Sequence, residues 1–221
     1  MKMKTYEILM EISGPTAMWT RPDTGATPVS YPVPPSAAKG MFESIVRIKN
    51  VIINPTAVEI CSPIVYHDYT TNYGGPLRKS DQITNNNSFQ HKATVLINVC
   101  YRLYARIEQF RYVPKSLAEA ARLESLANVN SQHACQDMFY RRLKKGQFYD
   151  IPCLGWREFV PDYIGPIRSD TENRKRQTTI KDTLPSFLYC VFDPETGIRT
   201  QLYVQSEKGR RIVDGRLEYA E

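Results

Sequence analysis

An α+β fold is predicted by three features of the sequence. Residues 4–13 and 93–110 alternate apolar and polar side chains with the period of half-buried strands. Residues 36–48 and 132–145 instead repeat apolar side chains every three or four positions, as helices do. The elements run strand, helix, strand, strand, helix, strand and then a strand-rich tail, and the first part of that order fits a ferredoxin-like βαββαβ sheet.

Taken in order, Tyr6, Ile8, Met10 and Ile12 point one way from the first strand, while Thr5, Glu7 and Glu11 point the other, with Leu9 the exception. Gly14-Pro15 is expected to stop it. A loop with Pro22, Gly25, Pro28, Pro32 and Pro34 follows. Pro34-Pro35 suits a helix start, and Ala38, Met41, Phe42, Ile45 and Ile48 supply the buried stripe of a helix over 36–48. Residues 51–66 are β-branched but carry Pro55 and Pro63, which predicts an extended segment with bends. Residues 67–92, with Gly74-Gly75-Pro76 and Asn85-Asn86-Asn87, read as a long polar loop.

The clearest strand is 93–110. Ala93, Val95, Ile97, Val99, Tyr101, Leu103, Ala105 and Ile107 form its apolar face. A helix-friendly run covers 116–127. A second helix over 132–145 turns Cys135, Met138, Phe139 and Leu143 inward and is expected to end at Gly146. Residues 151–160 read as a strand and 165–183 as a loop. Residues 187–192 and 198–204 read as a hairpin about Asp193-Pro194-Glu195-Thr196-Gly197.

Composition narrows the function classes. The 221 residues have 42% hydrophobic content and a mean hydropathy of −0.43, as a chain able to bury a core should. No run approaches the ~18 apolar residues of a membrane helix, and the start lacks the apolar core of a secretory signal. Twenty-nine Lys+Arg against 23 Asp+Glu give +6, a bias toward anionic partners. Five scattered cysteines without a CxxC argue against a disulfide framework or zinc site and for a reducing cytoplasm.

No P-loop, GxGxxG, HExxH or nucleophile elbow is present, and His67, His91 and His133 lack ligand spacing. Cofactor chemistry has no support in the sequence. What stands out is cationic and aromatic: His91-Lys92, Arg102, Arg106, Arg141-Arg142-Leu143-Lys144-Lys145, Arg174-Lys175-Arg176 and Lys208-Gly209-Arg210-Arg211, interleaved with Tyr66, Tyr69, Tyr73, Tyr101 and Tyr104. Such a set holds phosphates and stacks bases, or forms solvated faces and packing.

Three ordered segments carry a family likeness. Trp19-Thr20-Arg21-Pro22 leads to Ser30-Tyr31-Pro32-Val33-Pro34-Pro35-Ser36-Ala37-Ala38-Lys39-Gly40 and Phe42-Glu43-Ser44-Ile45. His91-Lys92-Ala93-Thr94-Val95-Leu96 runs into Asn98-Val99-Cys100-Tyr101. Met138-Phe139-Tyr140-Arg141-Arg142-Leu143-Lys144-Lys145-Gly146-Gln147 precedes Pro152-Cys153-Leu154-Gly155-Trp156-Arg157-Glu158-Phe159. Together they resemble the CRISPR-associated Cas-five proteins of subtype d (also called c), from type I-C systems, over roughly residues 4–160.

The resemblance implies a ferredoxin-like (RRM-like) RNA-binding domain over 1–160 and a small β-rich extension over 161–221. It implies binding of the CRISPR repeat hairpin and metal-independent cleavage of precursor CRISPR RNA by 2′-OH attack, leaving a 2′,3′-cyclic phosphate. The mature crRNA would be kept by its 5′ handle within a cytoplasmic Cascade complex, beside the backbone and large subunits, with no cofactor, metal or membrane involved. By the same resemblance Arg21, Lys39, Arg141, Arg142 and Lys144 contact RNA. The family's acid–base positions, however, fall on Val46, Ala134 and Cys135, none of which suits proton transfer. Either His133 serves from a shifted register, or this copy holds RNA as a non-cleaving subunit.

Overall fold

The computed structural model describes residues 5–21, 30, 32–75, 78–109, 130–168, 175–192 and 199–219, with residues 185, 186, 192 and 199–209 as backbone alone. The architecture is α+β: one antiparallel sheet with helices packed on it. Its elements are β1 (Tyr6–Ala17), α1 (Pro35–Ile45), β2 (Val51–Ile60), β3 (Tyr66–Tyr73), α2 (Ser80–Thr84), β4 (Phe89–Gln109), α3 (Ser131–Lys145), β5 (Tyr163–Gly165), β6 (Asp182–Phe192), β7 (Arg199–Val213) and β8 (Arg216–Glu218).

The sheet order is β5-β1-β4-β2-β8-β7-β6, with β3 also paired to β4. The long strand β4 organises it. Its second half pairs with β1 on one side (Ile8↔Ala105, Ile12↔Tyr101) and with β2 on the other (Ile53↔Ile107, Ile60↔Tyr101). Its first half pairs with β3 from Tyr66↔Leu96 to Tyr73↔Phe89. The strands β6, β7 and β8 join through β8 on β2, at Val58↔Leu217. Tyr219 then closes the chain onto the start of α1, its buried hydroxyl donating to the Val33 carbonyl at 2.7 Å.

The core lies between the sheet and the two long helices. The alternation of Ile8, Met10 and Ile12 meets that of Leu103, Ala105 and Ile107, all buried. Ala38, Met41, Phe42 and Ile45 of α1 and Cys135, Phe139 and Leu143 of α3 cover them, with Phe42 and Phe139 ring centroids 5.7 Å apart. Met138 is only partly buried at the edge of this stripe. Among the described residues, no helix is long and apolar enough to cross a membrane.

Several expectations need correction. Gly14-Pro15 does not end β1, which continues to Ala17. Pairing with β5 covers only Glu11–Ser13, so the missing N–H of Pro15 lies past the end of that partner. Residues 67–92 are not a loop: they hold β3, α2 and the first residues of β4. The sequence obscures this hairpin because its half-buried face is built from Tyr, Thr, Phe and His rather than aliphatic residues, so the alternation of burial over 68–73 and 89–93 carries little contrast in hydropathy. Its Tyr and Thr residues still favour strand.

Residues 151–160 form turns rather than a strand. Gly155 sits at φ +99°, where an added Cβ would collide with the Met18 carbonyl oxygen, while Met18 N–H donates to the Leu154 carbonyl at 2.9 Å. Pro152, Leu154 and Phe159 are buried as anchors of that turn. The first helix stops at Ile45, because Val46 turns extended, and Ile48 is left half-buried. The expected 165–183 loop gives way to β6 only at its last two residues, Asp182 and Thr183, five residues before the expected hairpin start. The helix expected over 116–127 and the turn at 193–197 lie outside the described residues.

Candidate nucleic-acid interface

Arg102, Tyr104 and Arg106 of β4 lie on the sheet face away from the helices, opposite the buried Tyr101, Leu103 and Ala105. Direct pairing sets Glu11, Arg102 and Glu59 side by side across β1, β4 and β2. Glu11, with no exposed surface, accepts from Arg102 Nε at 3.4 Å and from Arg168 Nε at 2.7 Å. Glu59 accepts from Arg176 at 3.3 Å, Arg216 at 3.0 Å and the Tyr104 hydroxyl at 3.0 Å. Burial and the Glu59 carboxylate raise the Tyr104 phenol to about 12, and Arg216 lies 4.7 Å over its ring.

Four arginines therefore surround two buried carboxylates. Arg168 and Arg176, from the segment after β5, sit on the two sides of Arg102, whose guanidinium also donates to the Arg168 carbonyl. Arg102 and Tyr104 are thereby committed to internal bonds. Of the same row on β4, Arg106 remains exposed.

The tyrosines sort likewise. Tyr101 is buried edge-on to Trp19, and burial pushes its phenol far up. On the β3–β4 hairpin, rings follow one another from Tyr69 to Phe159 (5.5 Å), Trp156 (5.6 Å), His91 (5.8 Å) and then Tyr73 (6.1 Å) and Phe89 (6.3 Å). His91 is thus one ring in a packed row, whereas Lys92 points from the other face into solvent.

The helix α3 gathers most of the residues singled out for RNA. Asn130 caps its start, accepting from His133 N–H at 3.1 Å and donating to the Tyr6 hydroxyl at 2.8 Å. Gly146, at φ 63°, ends it. His133 lies in the first turn, half exposed, with Nδ1 3.1 Å from Asp137 Oδ2 and its ring edge-on to Tyr6. Arg141, Lys144 and Lys145 lie exposed in the last turns, where cations complement the helix dipole. At ~1.5 Å per residue, His133 and Arg141 stand about 12 Å apart along the axis.

Arg142 faces the other way. Its guanidinium donates to the Ile45 carbonyl at 3.0 Å, closing the C-terminal end of α1, and lies 4.0 Å over the Tyr149 ring. Lys39 stands 3.9 Å from Glu43 on α1; burial raises the Glu43 carboxyl, with Lys39 and Arg47 opposing it. Arg21 is close enough to Tyr66 to oppose the rise that burial and Asp182 impose on that phenol. Val46 and Cys135 are fully buried, and burial pushes the Cys135 thiol up to about 11. Both are packing residues.

No group of three or more His, Cys, Asp or Glu placed to hold a metal occurs among the described residues. Sequence reasoning missed Glu11, Glu59, Arg168 and Arg216 as one network and Tyr149 as a partner of Arg142. These contacts join residues far apart in the chain and leave no local signature.

The comparisons with known proteins agree with the α+β reading and give the family. A family model described as CRISPR-associated protein (Cas_Cas5), of the Cas5d kind, matches residues 7–205. The chain therefore belongs to the CRISPR-associated Cas5d family. A curated relative from Thermus thermophilus, named CRISPR pre-crRNA endoribonuclease Cas5d, is 27% identical over 161 residues; the match spans 71% of this chain and 62% of that protein. Two solved structures share the fold. A functionally uncharacterized protein, SMU1763c from Streptococcus mutans, aligns with a TM-score of 0.63 at 16% identity, and one described as a CRISPR-associated protein aligns with 0.62 at 15%, each covering 97% of this chain and 92% of theirs.

Proposed function

We propose that this protein binds the CRISPR repeat hairpin, cuts precursor CRISPR RNA without a metal, and keeps the 5′ handle as a subunit of a type I-C Cascade complex in the cytoplasm, beside backbone and large subunits. The observation that carries this reading is the family match over 7–205, joined to an exposed cationic end of α3 at Arg141, Lys144 and Lys145. The name of the Thermus relative supports the nuclease step. A ferredoxin-like, RRM-like reading of the RNA-binding part is supported by the order β5-β1-β4-β2 with α1 and α3 between strands. The division near residue 160 is supported by the sheet path, in which β6 and β7 reach the other strands through β8 among the described residues, although β5 lies beyond that division on the β1 edge.

In the cutting step the ribose 2′-oxygen bonds to the adjacent phosphorus, the bond to the 5′-oxygen breaks, and a proton passes from the 2′-OH to a base and another to the leaving oxygen. His133 is the group on α3 suited to this exchange. With Nδ1–H given to Asp137, Nε2 is left for the RNA. Lys39, Arg21 and the end of α3 hold phosphates in this reading. A second reading, a non-cleaving handle-binding subunit, is favoured by the burial of Val46 and Cys135, which leaves two of the family's acid–base positions in the core.

The test is a cleavage assay in EDTA with cognate 5′-labelled repeat RNA and a copy carrying a 2′-deoxy substitution at the cut site. A discrete product from the ribose substrate alone supports the nuclease. Tight binding without product selects the second reading.

A further inference from the structure

Beside the cationic end of α3 the chain turns through residues 146–155 and forms a cleft with α1 of about 240 Å³, lined by Trp19, Gly40, Met41, Ser44, Asp150 and Ile151 among others. This is below the ~300–1,000 Å³ that encloses a whole drug-sized ligand, and so fits one ring system rather than a nucleotide.

The outer wall is held in place from both ends. Tyr149 N–H donates to the Ser44 carbonyl at 2.8 Å, and Arg142 clamps Tyr149 to the end of α1. At the far end Gly155 lies against Met18. The walls are apolar: Trp19 and Met41 are 2% and 3% exposed, and Ile151 projects at the mouth with 65% of its surface open.

Two side-chain acceptors, Ser44 and the exposed Asp150, stand at this cleft, beside the Cys153 thiol, which is given to the Gly155 carbonyl, and the buried Trp19 indole N–H. Ser44 Oγ–H is spent on the Met41 carbonyl at 2.7 Å, which leaves the oxygen as an acceptor. Asp150 Oδ1 accepts from Ile151 N–H, and Oδ2 has no partner among the described residues. Acceptors beside an apolar slot match a flat ring that carries donors on its edge. Cations immediately before the wall, Arg141, Lys144 and Lys145, match a phosphate chain attached to that ring.

We infer that the cleft between α1 and residues 149–155 takes one unstacked nucleobase of the bound RNA, and that it prefers a base with an amino group on its edge (adenine, cytosine or guanine) over uracil. This rests on the RNA-binding reading above. Stacking in such a slot is tolerant of base identity, whereas a carboxylate acceptor selects amino donors such as cytosine N4.

Gly40 provides the test, because a Cβ there meets no atom within 4 Å. Gly40→Leu fills the cleft on a helix that tolerates a side chain, and its thermal melt should match or exceed that of the parent. Repeat RNAs with one abasic nucleotide at successive positions are titrated against parent and Gly40→Leu. The parent is expected to lose about tenfold in affinity at a single position and several-fold when uracil is placed there. Gly40→Leu should lose a similar factor with intact RNA and nothing further with that abasic RNA. Asp150→Asn should erase the discrimination against uracil.

Equal binding by Gly40→Leu and the parent, or an abasic profile with no sensitive position, overturns the inference while the RNA-binding reading stands. Normal RNA binding combined with failed assembly onto other Cascade subunits assigns the cleft to a protein partner, and also overturns it. A parent protein that binds no repeat RNA at all overturns both.

Discussion

Glu11 and Arg168 lie 157 positions apart and meet twice: Arg168 Nε reaches Glu11 Oε1 at 2.7 Å, and its backbone N–H reaches Oε2 at 3.2 Å. The carboxylate has no exposed surface. A charge in that position is tolerated because Arg102 and Arg168 both donate to it. Glu11→Gln keeps the shape and removes the charge, leaving two arginines facing a neutral amide. It is expected to lower unfolding free energy by about 3 kcal/mol, measured by urea denaturation. A loss below ~1 kcal/mol, the range of exposed pairs, would mean that water screens the site.

Arg141 and Arg142 are neighbours with opposite duties, and substitution should separate them. Arg142→Ala removes the partner of the Ile45 carbonyl and the cation over Tyr149, and is expected to destabilise by about 1–3 kcal/mol. Arg141→Ala and Lys144→Ala should leave stability within ~0.5 kcal/mol. Both should weaken repeat-RNA binding and reduce the slope of log affinity against log salt by about 0.7 each, as for a single-stranded contact. Denaturation curves and titrations at several salt concentrations give both readouts.

His133→Ala should abolish cutting in EDTA while repeat-RNA affinity stays within a few-fold. Asp137→Asn, which keeps a partner for Nδ1 but removes the charge, should retain part of the rate. Full cleavage by His133→Ala would remove this residue from the mechanism.

Cys135 makes stability depend on alkaline pH. Its folded thiol is pushed up to about 11 by burial, against ~8.5 for a free thiol. Between those values the unfolded chain sheds a proton that the folded chain keeps. The contribution is therefore complete below about pH 8 and declines as pH rises toward 11, by up to ~1.4 kcal/mol per pH unit. Cys135→Ala should flatten the fall in stability between pH 9 and 11 relative to the parent, and denaturation at stepped pH would show it.

The sequence by itself determined the elements whose burial is periodic. The alternation in β1 and β4, the stripes of α1 and α3 and the stop at Gly146 follow from one-sided contact with a core, which imprints a period of two or 3.6 on the chain. The cationic end of α3 was equally legible, because exposure of Arg141, Lys144 and Lys145 needs only the helix. The tertiary structure alone decided the rest. The β3–β4 hairpin is held by pairing and by a row of rings to which Trp156 and Phe159 come from a distant segment, a contact that no local pattern announces. Arg102 and Arg142 look like their exposed neighbours in sequence, and only the arrival of Glu11, Glu59, Arg168, Ile45 and Tyr149 from distant segments turns them into structural ties. A charge is free or committed according to what packs against it, and that partner is chosen by the fold.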